Sequence, residues 1–371
     1  MTKRHVALLF GGRSVEHAVS ITSARCILDA LDPTRYRISL LAVDPAGRWR
    51  IGEVARGPEE AFSGHEVVLP AMPASGLLVT DASSGKISQL EIDVVFPIIH
   101  GQGGEDGSLQ GLLELANLPY VGSGILSSAI QMDKEVTKRL LEAAGLPVVP
   151  YCVLMPGRLS PRDREAAVAK ALAEIGLPAF VKPSNSGSSI GATLVEEASH
   201  LAAAVDHAAR YGEKVLVEKA IHAREIEVAI LDGDEPIASP PGEIRCDQSF
   251  YNYEAKYAKD ETELIIPAEL AAPFVEQLQR FATTAFRVVG AEGMARVDFL
   301  VDRKSGQAYI SELNSLPGFT EGSMFPKLFE AAGIRYAELL DRLIELALGR
   351  HARRQRFETH YTQTDPEDAD R

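Results

Sequence analysis

Apolar residues in this chain come in short unbroken runs, separated by stretches whose apolar positions recur at helical spacing. Val6-Ala7-Leu8-Leu9-Phe10 is wholly apolar and closes on Gly11-Gly12, the pattern of a strand buried on both faces that runs into a loop. A helix-like stretch at 19–31 and strands at 37–43 and 93–99 continue the alternation, so the first third predicts an open α/β domain. Between these strands, residues 45–86 are irregular and rich in Gly, Pro and Ser, which reads as an insertion carrying short strands. A Gly/Ser loop then leads into a polar helix at 129–144, ended by Gly145 and Pro147.

The middle of the chain predicts a small α+β unit: strands at 151–154, 179–182 and 214–219, with an Ala-rich helix at 164–175 and another at 201–211. From Glu225 onwards come alternating strands, a long polar loop at 243–262, a helix at 273–288, two more strands and a final helix. Past Gly349 the chain turns basic and then acidic with few apolar residues, the composition of a frayed tail. The predicted units are 1–128, 129–222 and 223–350, followed by a disordered tail at 351–371.

Composition narrows the class. With 371 residues, 46% hydrophobic and 24% charged, the chain is too long for one ordinary core and too apolar to be unfolded. Its formal charge of -14 repels nucleic acid and anionic membrane, so an anionic ligand must meet a local basic pocket. Cys26, Cys152 and Cys246 lack a CxxC spacing and read as free thiols of a reducing compartment. The N-terminal apolar run is shorter than the ~7 residues of a signal peptide core, and no run approaches the ~18 of a membrane span. The expectation is a soluble cytoplasmic protein.

The most informative stretch is 294–320, read as a hairpin turning at Asp302-Arg303-Lys304-Ser305-Gly306. Side chains two apart on a strand share a face, so Arg296 and Asp298 point one way, and Glu312 and Asn314 do the same on the return strand. A register symmetric about Ser305 sets Asp298 opposite Glu312 and Arg296 opposite Asn314. That gathers oxygen donors suited to Mg²⁺ beside one guanidinium; a solvated face with an Arg–Glu ion pair is the alternative. A second element, Phe180-Val181-Lys182-Pro183-Ser184-Asn185-Ser186-Gly187-Ser188-Ser189, delivers a lysine into a loop of small residues. Such a loop can wrap phosphates or be a plain connection.

Its weight comes from further lysines, Lys134, Lys219 and Lys256. Glu218 and Lys219 close an apolar strand whose backbone edge can read an adenine, and Glu225 can accept from ribose hydroxyls; a surface ion pair would look the same. The loops 11–17 and 100–111 end two apolar strands at one rim, where open α/β sheets bind ligands, although tight turns and a helix cap would also account for them. Taken together, these elements imply a nucleotide, Mg²⁺ and an anionic co-substrate at a domain junction.

From about Val6 to about Arg350 the chain resembles the D-alanine–D-alanine ligases of the ATP-grasp superfamily. The resemblance rests on Gly-Gly-x-Ser-x-Glu-His at 11–17, His-Gly-x-x-Gly-Glu-Asp-Gly at 100–107, Met132-Asp133-Lys134, Lys182-Pro183-Ser184, Gly187-Ser188-Ser189, Tyr253-Glu254-Ala255-Lys256-Tyr257, Arg296-Val297-Asp298, and the run from Glu312-Leu313-Asn314 to Thr320, in the family's order. It implies a three-domain ATP-grasp fold with a Rossmann-like N-terminal domain, and ligation of two D-alanines through an acyl phosphate for peptidoglycan precursors.

The resemblance also implies roles. Glu16 would hold the first D-alanine's ammonium, and Glu16, Ser188 and Tyr257 would close the site. Lys134, Lys182 and Lys256 would contact ATP phosphates, while Glu218, Lys219, Ile221 and Glu225 would hold adenine and ribose. Asp298, Glu312 and Asn314 would bind two Mg²⁺ (or Mn²⁺). Arg296 and the Gly318 N–H would stabilise the tetrahedral oxyanion, Ser323 and Met324 would position the second D-alanine's carboxylate, and His100 would lie near the first. The polar loop at 243–262 would be a lid carrying Lys256 and Tyr257, and that tyrosine favours D-alanine over D-lactate as second substrate. A homodimer and assistance from a monovalent cation are further expectations. The remaining rivals are another ATP-grasp ligase, a nucleotide-binding regulator without turnover, and a nicotinamide dehydrogenase, for which Gly11-Gly12 lacks the GxGxxG spacing.

Overall fold

Three sheets carry the strands, and the helices between them decide which faces are buried. The computed structural model describes residues 3–52, 57–73, 76–81, 83–246 and 262–358. The first sheet contains β1 (Arg4–Gly11), β2 (Tyr36–Val43), β3 (Trp49–Gly52), β4 (His65–Val68), β5 (Leu77–Thr80), β6 (Ile87–Leu90) and β7 (Val94–Pro97), in the order β6-β5-β4-β3-β2-β1-β7. β1 pairs in parallel with β2 and β7, while β2 to β6 run antiparallel. The segment read as an insertion thus widens the parallel sheet with antiparallel strands. Helix α1 (His17–Ala30) follows β1, and α2 (Ser108–Leu115) follows the loop after β7. Every residue of β1 after Arg4 is buried because alternate side chains enter different cores: Ala7 and Leu9 pack with Leu109 and Leu113 of α2.

The polar helix expected at 129–144 is two helices, α3 (Ile125–Met132) and α4 (Lys134–Ala143). Asp133 breaks them: its backbone is extended, and its carboxylate accepts the N–H groups of Glu135 and Val136, an N-cap that ends one helix and starts the next. A small antiparallel sheet follows, built from β8 (Tyr151–Leu154), β9 (Ala179–Pro183), β10 (Thr193–Val195) and β11 (Val215–Lys219) in the order β10-β9-β11-β8. Helices α5 (Pro161–Ile175) and α6 (Leu201–Ala208) cover one face with Ala171, Leu201 and Val205 against Val181, Val215 and Val217.

The third sheet holds β12 (Ala223–Leu231), β13 (Ile237–Ala238), β14 (Gly242–Cys246), β15 (Thr262–Ile265), β16 (Met294–Asp302) and β17 (Ala308–Asn314), ordered β15-β14-β12-β16-β17 with β13 on β12. The polar loop expected at 243–262 therefore begins and ends in paired strands, β14 against β15. Helix α7 (Ala272–Val288) buries Leu278, Ala282 and Phe286 on Ile226, Val228 and Val297. On the opposite face, Ala229 and Leu231 share a core with Phe325 and Leu328 of α8 (Met324–Ala331), with Leu339, Leu340, Leu343 and Ile344 of α9 (Tyr336–Arg354), and with Val6, Leu8 and Phe10 of β1. Each Val, Leu, Ile or Phe side chain among them contributes about 1.5–3 kcal/mol when buried.

Helix α9 also corrects the tail reading, since it runs on to Arg354. Arg350 is buried, donates to the Tyr120 carbonyl at 2.9 Å and to that of Gly122, and stacks 4.2 Å from the Tyr120 ring centroid. Arg354 pairs with Glu114. Arg350 and Arg354 thus clamp the end of α9 onto the first domain. No helix among the described residues is long and apolar enough to cross a membrane.

Candidate active site

The hairpin of β16 and β17 pairs Arg296 with Asn314 and Asp298 with Glu312, as the symmetric reading requires. The route differs from that reading. Beyond Asp298 the register shifts, so that Phe299 faces Ile310 and Val301 faces Ala308. Ser311 is the extra residue, a bulge that restores the site register after the turn has displaced it by one. Arg296 forks onto Asp298 through Nε and Nη2, both at 2.7 Å, and its Nε also lies 3.0 Å from Glu227 on β12. Glu227 faces Asp298 directly across β12 and β16, so Glu227, Asp298 and Glu312 form one row over three strands. Burial opposes the charge on Arg296, but Asp298 and Glu227 outweigh it and raise its pKa well above the ordinary value.

Asn314 donates its amide to Asp298 at 2.9 Å, and Glu312 meets Lys134 at 3.1 Å. The donors Asp298, Glu312 and Asn314 are all oxygen-bearing and fit a hard divalent cation, and each carboxylate already faces a positive side chain. Among the described residues no three His, Cys, Asp or Glu side chains converge, so the third donor would be the Asn314 amide. Lys134 begins α4 at the Asp133 break and also donates to the Ser186 carbonyl at 2.8 Å, which ties that helix to the Gly/Ser loop. Glu105, Gln131, Met132, Lys134, Gly187, Glu312 and Asn314 are among the residues lining a pocket with about 340 Å³ of open space.

Across this pocket stand the two loops of the first sheet. The Ser188 hydroxyl donates to Glu16, joining the first domain to the Gly/Ser loop. Ser188 and Ser189 hold this contact with φ of 49° and 57°, a left-handed backbone that non-glycine residues seldom adopt. Gly101, φ 76°, also lies against Glu16: a Cβ there would stand 2.9 Å from its carboxylate. Glu105 accepts from the N–H of Gly101 at 2.6 Å and from that of Leu316 at 3.1 Å. Burial, with Glu16 nearby, pushes its pKa up to about 8. His100 Nδ1 lies 3.1 Å from the Leu316 carbonyl, which only accepts, so the proton sits on Nδ1. Burial lowers the His100 pKa, with Glu16 opposing.

Gly318 is held near Ser323, whose Oγ accepts from the Thr320 N–H at 2.9 Å; a Cβ at Gly318 would lie 2.6 Å from that oxygen. The Met324 side chain is buried, with its sulfur against Gly242, which leaves only its backbone, at the start of α8, for a ligand. Lys256 and Tyr257 lie outside the described residues, as does the 247–261 stretch of the lid they were expected to ride.

β11, whose backbone at Glu218 and Lys219 was expected to read an adenine, is not an edge strand. It lies inside its sheet between β9 and β8, and the Lys219 N–H donates to the Pro150 carbonyl at 2.9 Å. The Glu218 side chain is buried on two lysines: Lys182 at 2.8 Å and Lys138 at 3.0 Å. Burial opposes ionisation of Glu218, but the lysines outweigh it and hold its pKa low. Burial likewise opposes the charge on Lys182, which Glu218 and Glu312 more than offset. For Lys138, burial prevails and lowers the pKa. Ile221 falls in the connection to β12, and Glu225 pairs with Ile244 and Leu300 along β12. The Lys219 side chain is exposed.

Three residues of this neighbourhood escape a reading of the sequence. Lys138 carries a signal, lying one helical turn after Lys134. Glu227 carries one only once β12 is paired with β16. Glu105 reads as a helix-terminus acid, and its partner Leu316 lies in another domain.

Residues 5–123 match the family described as D-ala D-ala ligase N-terminus, and residues 140–345 the one described as D-ala D-ala ligase C-terminus. A D-alanine–D-alanine ligase of Heliobacterium modesticaldum is 44% identical over 363 residues, spanning 97% of this chain and 98% of the relative. One of Chloroherpeton thalassium is 46% identical over 362 residues, 95% of this chain and 99% of the relative. The solved D-alanine–D-alanine ligase of Coxiella burnetii superposes with a TM-score of 0.82 at 36% identity, covering 96% of this chain and 97% of its own. A D-Ala:D-Ser ligase of Enterococcus faecalis also reaches 0.82, at 32% identity, covering 93% and 100%. With both halves matched and relatives similar along nearly their whole length, the chain belongs to the D-alanine–D-alanine ligase family of ATP-grasp enzymes.

Proposed function

We propose that the chain joins two D-alanine molecules at the expense of ATP, releasing D-alanyl-D-alanine, ADP and phosphate. A carboxylate oxygen of the first D-alanine attacks the γ-phosphorus and ADP leaves. The amine of the second D-alanine, having given one proton to solvent, then attacks the acyl carbon; as the C–O bond breaks, phosphate leaves and takes up the second N–H proton, which gives the neutral amide. The observation that carries this reading is the meeting, around one pocket, of Lys134, Glu312 and Asn314 with Glu105 from the first domain, Asn314 in turn holding Asp298 of the Arg296–Asp298 pair.

Glu16, oriented by Ser188, holds the ammonium of the first D-alanine. Arg296 and the Gly318 N–H face the oxyanion of the tetrahedral intermediate, each such donor stabilising it by ~3 kcal/mol. Lys134 and Lys182 meet the phosphates, with Lys256 from the lid; Ser323 and the Met324 backbone receive the second carboxylate. Asp298, Glu312 and Asn314 would hold Mg²⁺ or Mn²⁺, which supplies charge neutralisation for the phosphates. We infer a homodimer that works in the cytoplasm, where ATP is at hand, and feeds cell-wall precursor synthesis.

The test is ADP release in a coupled assay with Mg-ATP and no amino acid, D-alanine, L-alanine, or D-alanine with D-lactate, the product being identified by mass. Release that needs D-alanine and yields the dipeptide is expected. Release without D-alanine, or an ester product made as readily as the dipeptide, would overturn the assignment of substrates.

A further inference from the structure

One buried charged group near the site has no role in the scheme above. Lys138 is 1% exposed and is among the largest fully buried side chains of the chain. Its Nζ lies 3.0 Å from Glu218 Oε1 and 5.4 Å from the centroid of the Tyr151 ring. The other carboxylate oxygen, Oε2, is 2.8 Å from Lys182 Nζ. Glu218 therefore carries one lysine on each oxygen. Only one of the two can be reached from outside: the Lys182 side chain is 17% exposed, at the end of β9 where the Gly/Ser loop begins, whereas that of Lys138 is 1% exposed.

This asymmetry bears on what happens when an anion arrives. A carboxylate that is 4% exposed cannot lose its only cation without a severe desolvation penalty. If Lys182 were the sole partner of Glu218, a phosphate would have to compete against that penalty. With Lys138 sealed behind it, Glu218 stays paired whichever way Lys182 turns. We propose that Lys138 is a positioning residue for nucleotide binding: it remains on Glu218 as a fixed counter-ion and so frees Lys182 to leave that carboxylate for the phosphates. The inference rests on the ATP-dependent reading above and adds to it a residue that touches neither phosphate nor substrate.

The test compares Mg-ATP binding by calorimetry, and KM for ATP against KM for D-alanine, in the full chain and in Lys138→Met. Loss of the fixed counter-ion should weaken Mg-ATP binding and raise KM for ATP at least about tenfold, with KM for D-alanine changed by less than about twofold. A merely structural lysine would lower the melting temperature without that split. Should Lys138→Met fail to fold, Glu218→Gln is compared with the double variant Lys138→Met/Glu218→Gln. The neutral amide that replaces the carboxylate needs no counter-ion, so the two should bind Mg-ATP within about twofold of each other. A further tenfold loss in the double variant, or unchanged ATP affinity in Lys138→Met, would overturn the role given to Lys138 alone. Failure of the unaltered chain to bind Mg-ATP would overturn the ATP-dependent reading and this inference with it.

Discussion

Two buried charge clusters flank the pocket, and they are unbalanced in opposite directions. On the third sheet, Arg296 is shared by Asp298 and Glu227, one cation for two carboxylates. On the second sheet and α4, Glu218 is shared by Lys182 and Lys138, one carboxylate for two cations. A cluster built only for stability would be balanced, since an uncompensated buried charge is costly. The first would suit a cation and the second an anion. A metal–nucleotide complex supplies both at once.

The largest expected effect comes from removing the cation of the negative cluster. Arg296→Met should lower kcat roughly 10²–10³-fold through loss of an oxyanion donor. Because two carboxylates are left facing each other, the same variant should bind Mn²⁺ more tightly than the unaltered chain, a change of opposite sign readable by calorimetry. Weaker Mn²⁺ binding would show that Asp298, Glu312 and Asn314 are not a cation site. Asp298→Asn approaches the comparison from the other side: Mn²⁺ affinity should fall about tenfold, the order of one lost charge at the site, while Lys182 and Glu218 are untouched. An equal loss of metal-free nucleotide binding would mean that the two clusters are not separable.

The smallest effect concerns Glu105, which enters the pocket from the first domain. Its pKa is raised to about 8 by burial and Glu16, against the ordinary value of 4.5. The folded state therefore binds the proton more tightly, so this stability contribution is complete below about pH 4.5 and is lost as pH rises through about 8. Melting temperatures measured from about pH 5 to 8 should fall more steeply for the unaltered chain than for Glu105→Gln. Parallel slopes would remove Glu105 from the pH response.

The negative cluster is largely legible in the sequence, and the positive one is not. Two-residue spacing on a hairpin fixes which side chains share a face, so symmetry about the turn alone places Arg296, Asp298, Glu312 and Asn314 together. Even there the agreement depends on the extra residue at Ser311 compensating a turn displaced by one, which symmetry does not foresee. Lys138 and Glu218 meet through the packing of a helix on a sheet, and no local period reports that contact. The same limit hides the interior position of β11, since an apolar run such as Val215-Leu216-Val217 reads alike in an edge and a central strand. Asp133 is visible as a residue but not as a helix break, although Asp is a common N-cap. The partnership of Glu227 with Arg296 requires knowing that β12 lies beside β16, a pairing between strands distant in the sequence.

The clasp between α9 and β1 orders events in time. Val6, Leu8 and Phe10 enter a core completed by Leu339, Leu340, Leu343 and Ile344, and Tyr36 reaches Asp341 at 2.7 Å. The ribosome makes the first of these groups more than three hundred residues before the last. That face of the opening strand is first covered by Ala24 and Ile27 of the helix made directly after it and by Leu31 at its end, and the same core closes only when α9 emerges far later in synthesis.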